Sequence, residues 1–263
     1  MARNLAPSRA KACALILEGR VFSNHKQIVK VGTMLPKDAS LEVKESSDAP
    51  REEWVSRGAH KLLKALDIFH TNPTGKICMD IGASTGGFTH VMLSRGALKV
   101  YSVDVGYGQF AWKLRTDSRV VVMERTNARY LEPGQFEEGM DLITIDASFI
   151  SLTLLLPVME KLLKEDGCII CLVKPQFEAG KERLGKNGVV KDPLLHQTIL
   201  QELSSFIEKQ TLLSLRGATW SPLKGPKGNI EFLFFLQKGK KDESLHTDFT
   251  QIVAESHKTL DEK

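Results

Sequence analysis

Between residues 76 and 237 the chain alternates short apolar runs with amphipathic stretches, and this alternation restricts the fold more than any other feature. Strand-like runs fall at 76–82, 99–105, 119–124, 141–147, 168–174, 211–219 and 231–237. Helical patterns at 57–69, 86–95, 107–115, 151–164 and 193–209 lie between most of them. Such a succession predicts an α/β fold with a parallel sheet and helices on both faces. The sixth and seventh runs are joined by TWSPLKGPKGN, which carries no helical pattern, so those two strands are expected to pair antiparallel. The predicted architecture is a Rossmann-like, doubly wound sheet of seven strands with the last one antiparallel.

The first apolar run empties into MDIGASTGGFT. Glycine at Gly82, Gly86 and Gly87 lets a ligand approach the backbone, because no Cβ stands in the way. About twenty residues on, the run VYSVDV ends in Asp104, where a doubly wound sheet commonly binds the hydroxyls of a ribose. Neither G-x-G-x-x-G nor G-x-x-x-x-G-K-[ST] is present. Instead Asp80 stands at the strand tip, where it would repel a pyrophosphate and suit an ammonium group. S-adenosylmethionine has a ribose, an ammonium and no phosphate, and it fits this pair of acids. A nicotinamide pocket or a purely structural turn is the competing reading.

Ligands of doubly wound sheets lie beyond the carboxyl ends of the strands, so polar residues there are the candidates for chemistry. LITID puts Asp146 at the fourth tip, CIICLVK puts Lys174 at the fifth, and GNIEF puts Glu231 at the start of the reversed seventh strand. Lys61, in the helix before the first strand, could reach the same rim. Singly, each has a bland explanation as a helix cap or a solvated side chain. Together they would set two amines and two acids beside the cofactor. Neighbouring ammonium groups release protons more readily and carboxylates oppose this, so such a cluster can hold a lysine able to take a proton from an alcohol.

The length suits one α/β domain with a small appendage. Residues 1–44 hold eight Lys and Arg against three acids, an excess of five that exceeds the net +4 of the whole chain. A basic small module beside a near-neutral body suggests a grip on nucleic acid, with a solvated surface as the alternative. Within it, 8–19 reads as a helix, VFSNHKQIVKVG as a hairpin turning at Ser23–Lys26, and SLEVKE as a further strand. ESSDAPREE reads as a linker, and FTQIVAESHKTL as a last amphipathic helix. No apolar run approaches the roughly 18 residues of a membrane span, and the N-terminus lacks a signal-peptide pattern, so the cytoplasm is the expected compartment. Cys168 and Cys171 form a C-x-x-C, but on a strand they would face opposite sides, and no second pair completes a metal site. Buried structural thiols are expected, and no metal.

The stretches SRGAHKL, DIGASTGGFT, YSVDVGYGQFAWKLR, VVMERTNARYL, LITIDASFISL, LVKPQFEAG and GPKGNIEF closely resemble the TlyA (hemolysin A) family of FtsJ-like RNA ribose methyltransferases, over almost all of residues 55–236. SRAKACALILEGRV looks like that family's S-four-like RNA-binding module, and IVAESHKTL its C-terminal helix. The resemblance implies four segments: the RNA-binding module at 1–45, a linker at 46–56, a class I methyltransferase domain at 57–238, and a charged tail with a helix at 239–263. Met1 falls inside the family's first helix, so the module is expected to be N-terminally short. Lys61, Asp146, Lys174 and Glu231 fall on the family's catalytic tetrad, with Lys174 the general base. The implied cofactor pocket comprises Asp80, Gly82, Ala83, Ser84, Gly86, Gly87, Asp104, Thr126 and Asn127, with Glu124 and Arg125 bordering the adenine. Arg9, Lys11, Arg20, Lys26 and Lys30 would contact RNA. The implied reaction is S-adenosylmethionine-dependent 2′-O-methylation of cytidine in ribosomal RNA. The partners would be ribosomal RNA or ribosomal subunits, with no membrane, and the enzyme would act as a monomer or weak homodimer. A non-catalytic ribosome-assembly factor and a cytolysin are the rival classes.

Overall fold

A computed structural model of the chain describes residues 5–6, 12, 15–16, 21–24, 26–28, 32–36, 38–43, 54–184, 188–239 and 247–261. Two compact units divide it, Met1–Glu53 and Trp54–Lys263, and the division falls inside the polar stretch expected to link them.

In the first unit, strands β1 (Val21–Ser23), β2 (Lys26–Gln27) and β3 (Leu41–Val43) form an antiparallel sheet in the order β2-β1-β3. Ser23 pairs with Lys26, in keeping with a hairpin that turns over Ser23–Lys26. Asn24 takes φ 47°, a left-handed conformation that asparagine tolerates better than most residues. Ala12, Leu15 and Ile16 are helical. Arg9, Lys11, Arg20, Lys30 and the side chain of Lys26 lie outside the described residues.

The second unit holds a seven-stranded sheet. Its strands are β4 (Ile77–Ile81), β5 (Lys99–Val103), β6 (Val120–Met123), β7 (Met140–Ile145), β8 (Leu163–Val173), β9 (Leu213–Trp220) and β10 (Phe232–Lys238). They run in the order β6-β5-β4-β7-β8-β10-β9. The first five are parallel, and β10 is antiparallel to both of its neighbours, as the helix-free join required. The chain reverses its direction of travel through the sheet between β4 and β7, which opens a crevice at their carboxyl ends.

Helices α1 (Ala59–Ile68) and α2 (Gly87–Ser94) cover one face, burying Leu62, Leu66, Val91 and Met92 against Cys78 and Ile170. Helices α4 (Leu152–Leu162), α6 (Pro193–Gln210) and α7 (Phe249–Asp261) cover the other, with Leu156, Leu203 and Val253 packed on Ile143 and Phe234. Cys168 and Cys171 fall into opposite core layers, so they cannot share a metal or a disulfide without rebuilding the strand. Burial pushes the Cys168 thiol up to about 11 and Cys78 up to about 12, which keeps both protonated.

One expected helix is mostly a loop. Instead of 107–115, only α3 (Trp112–Arg115) is helical. Gly108 takes φ 75°, outside the right-handed helical region, and its amide donates to Glu124. A short helix absent from the sequence reading, α5 (Pro175–Glu178), starts directly after β8 and takes Lys174 as its N-cap residue.

Candidate active site

The glycine turn is pinned from below. Gly82 and Ala83 donate to the Val103 carbonyl at the end of β5, at 2.9 and 3.1 Å. Gly82 has φ 81°, and a Cβ there would stand 2.6 Å from the Asp146 carbonyl oxygen, so this position admits only glycine. Ser84 holds φ 49° without being glycine, a strained backbone of the kind that concentrates at ligand sites. Gly86 is the left-handed residue preceding α2, and Gly87 begins that helix.

Two cavities meet at this turn. The larger, about 810 Å³, is lined by Gly82, Ser84, Asp104, Thr126, Asn127 and Asp146, among others. The smaller, about 170 Å³, lies against Lys61, Asp80, Ala83, Gly87 and Lys224, and shares Gly82, Ser84 and Asp146 with the first. Asp104 accepts from the amides of Ser84 (2.7 Å) and Gly106 (2.6 Å), which fixes its carboxylate on the cavity wall. Oδ1 also accepts from Gln109 Nε2 at 3.5 Å, and Oδ2 keeps further lone-pair capacity for a hydroxyl. Of the segment after β6, Thr126 and Asn127 line the cavity. Glu124 is drawn aside to Gly108 and Arg115, and Arg125 stacks over Tyr107.

Asp80 is placed differently from Asp104. Its side chain is 1% exposed at the floor of the small cavity. One oxygen accepts from the amide and hydroxyl of Thr89, at 2.9 and 2.7 Å, and the other from Thr144 at 3.3 Å. The carboxylate therefore ties β4 to the first turn of α2, where the helix dipole favours an anion. Burial outweighs these hydrogen bonds and pushes its pKa up to about 7.

Four charged residues from three strand ends and one helix converge on the same rim. Lys174 Nζ lies 2.6 Å from Asp146 Oδ1, Lys61 Nζ lies 3.7 Å from Asp146 Oδ2, and the same Lys61 Nζ lies 2.7 Å from Glu231 Oε2. The result is a line of alternating charge: Lys174, Asp146, Lys61, Glu231. Solvent exposure of the four side chains runs only from 1 to 22%, so little water screens them. Lys174 also donates to Ser148 Oγ at 3.0 Å. Asp146 and Lys61 line the cavities, while Lys174 and Glu231 stand behind them. Glu231 is held by close backbone, since a Cβ on Gly225 would come within 2.5 Å of its Oε1.

Two contributors were not evident from sequence. Glu178, on α5, accepts from Ser151 Oγ (2.6 Å) and the Leu152 amide (2.9 Å), which locks the segment after Lys174 to the segment after Asp146. Its burial raises its pKa. Phe149 takes φ 64° and is 90% exposed on the cavity rim, beside Phe177 at 5.1 Å. No glycine or turn motif in ASFIS signals that left-handed residue.

The large cavity, a carboxylate at the β5 tip and a turn too tight for any Cβ fit a nucleoside cofactor without a phosphate. With this sheet order they match the class I methyltransferase fold. The chain belongs to the FtsJ-like methyltransferase family, whose model matches residues 54–238. Relatives extend the match beyond that domain. The provisionally named rRNA methyltransferase YqxC of Bacillus subtilis is 47% identical, over 99% of this chain and 93% of its own. The 16S/23S rRNA (cytidine-2′-O)-methyltransferase TlyA of Mycobacterium tuberculosis is 46% identical, over 89% of this chain and 86% of its own. A Streptococcus thermophilus protein provisionally named a hemolysin has a solved structure that matches with a TM-score of 0.80. It is 41% identical, over 99% of this chain and 94% of that one. Among the described residues no helix is long and apolar enough to cross a membrane.

Proposed function

We propose that the chain methylates the 2′-hydroxyl of cytidine in ribosomal RNA. The observation that carries this is the line Lys174–Asp146–Lys61–Glu231, set where the two cavities share Gly82, Ser84 and Asp146. An alcohol is a poor nucleophile until its proton leaves, and a poorly solvated lysine in its neutral form can take it. Lys174, in its neutral form, would receive that proton, Lys61 would donate to the hydroxyl oxygen, and Asp146 would hold the two amines in place. When bound, S-adenosylmethionine supplies a methyl group on a positively charged sulfur, so the O–C bond forms as the C–S bond breaks. Glu231 keeps Lys61 oriented, and Ser148 steadies Lys174. Much of the gain is positional, because the two reactants are held at bonding distance before the proton moves.

Asp104 would hold the cofactor ribose, Thr126 and Asn127 would border the adenine, and the turn from Gly82 to Gly87 would take the methionine end. Phe149, exposed in a strained conformation, offers an aromatic face to a base. The basic excess of residues 1–44 supports an RNA-binding module there, with Arg9, Lys11, Arg20, Lys26 and Lys30 as phosphate contacts. The identity with rRNA methyltransferases supports a ribosomal subunit as partner and the cytoplasm as the place of action. We further propose a monomer or weak homodimer that uses no metal.

Isolated 30S and 50S subunits, incubated with the protein and methyl-labelled donor, are mapped for ribose methylation by mass spectrometry. New 2′-O-methylcytidine is expected. Label on a base, or no label on either subunit, would overturn the reading.

A further inference from the structure

Lys224 lies in the loop between β9 and β10 and lines the small cavity that also holds Lys61, Asp80 and Asp146. Its Nζ is held 2.6 Å from Asp261 Oδ1, in the last turn of α7. That carboxylate is itself fixed. His257 Nδ1 meets Asp261 Oδ2 at 2.8 Å, and His257 Nε2 meets Nδ1 of the buried His196 at 3.0 Å. Phe249, Val253 and Leu260 anchor α7 in the core. The end of the chain therefore carries an anion, on a rigid mount, to a lysine at the mouth of the cleft. The tetrad leaves this helix without a task.

We infer that Lys224 is a substrate-positioning residue that binds a backbone phosphate next to the target ribose, and that Asp261 holds it in place until RNA arrives. The inference rests on the RNA reading above. One side of the lysine is committed to Asp261, yet a third of its side chain (32%) stays open to solvent, as does half of the Asp261 side chain (50%). A pair so exposed contributes little to stability and exchanges readily for another anion. A phosphodiester offers more acceptor oxygens than one carboxylate, and RNA binding adds counterion release. Pro226, Lys227 and Gly228, beside it, are exposed and leave the approach open.

The two partners make opposite predictions. Lys224→Ala should raise KM for ribosomal RNA about 5–10-fold and flatten the salt dependence of RNA affinity by about one charge. Cofactor Kd and kcat at saturating RNA should stay within about twofold of wild type. Asp261→Asn should lower KM for RNA, because the lysine is freed, and Lys224→Arg should restore most of the loss. If the pair only stabilises the fold, both variants lose activity together with Tm. If Lys224 instead serves the cofactor's carboxylate, its removal raises cofactor Kd and leaves RNA KM unchanged. Either result overturns the inference. Wild-type protein that transfers no methyl group to ribosomal RNA would instead overturn the reading beneath it.

Discussion

The two halves of the rim are built from different materials. At the ends of β4 and β5 the wall is mostly backbone: the amides of Gly82, Ala83, Ser84 and Gly106 are all engaged, and the side chains that matter are carboxylates that accept from main chain. At the ends of β7 and β8 and the start of β10 the wall is side-chain charge, two lysines and two acids within 3.7 Å of one another in sequence along the line. Backbone walls hold shape and tolerate few residue types. Charge clusters hold a protonation pattern and tolerate few changes of sign. Binding and chemistry should therefore separate cleanly by mutation, with the β4–β5 half read in cofactor affinity and the β7–β8–β10 half in turnover.

The sharpest test is Lys174→Ala. Removing the base should cost about 10²–10⁴-fold in kcat, with cofactor Kd within about twofold of wild type. A large change in Kd would mean that the two halves are not separable. Next comes Gly82→Ala. A methyl group driven into the Asp146 carbonyl, on a backbone with φ 81°, costs on the order of 1–3 kcal/mol in strain alone. Because Asp146 moves with it, Tm, cofactor affinity and kcat should all fall. This one substitution couples the halves, since the turn and the tetrad touch there. Asp104→Ala is milder and confined to one side. Losing hydrogen bonds to a charged acceptor should weaken cofactor binding by about 10–100-fold, with kcat recovered at saturating donor. Unchanged Kd would place the ribose elsewhere.

Legibility in the sequence followed the same division. Strand ends were readable because hydrophobic runs stop where the sheet stops, so Asp104, Asp146 and Lys174 could be placed on one rim from pattern alone. The reversed direction of β10 followed from a join too poor in helix formers to cross over, and it brought Glu231 to the same side. What did not show is what depends on side chains finding partners through space. Glu178 reads as an ordinary helical acid, yet it accepts from Ser151 and Leu152, 27 and 26 residues away at the start of α4. The loop at 107–111 has a helical pattern, but Gly108 turns left-handed there and its amide goes to Glu124. The left-handed Phe149 carries no local signal at all.

Asp80 and Asp104 sharpen the comparison from within one half, since both stand at strand tips as candidate cofactor ligands and the fold separates them. Asp104 faces the open cavity, while Asp80 is buried and occupied by Thr89 and Thr144. Asp80→Asn should thus be the gentlest of these changes in the cofactor assay, within about threefold in Kd, because an amide oxygen can still accept from Thr89. Its clearer effect is on stability against pH. An acid raised to about 7 in the folded protein keeps its proton where the unfolded chain has released it. Between about pH 4 and 7 the unfolded state therefore binds fewer protons, and stability falls as pH rises through that window. The asparagine variant does not titrate there. The wild-type Tm should decline relative to that of Asp80→Asn from about pH 4 to about pH 7, by an amount equivalent to no more than a few kcal/mol. A parallel pair of Tm curves would show that Asp80 is ionised throughout. An Asp80→Asn protein that loses cofactor affinity as severely as Asp104→Ala would return Asp80 to the ligand-binding wall.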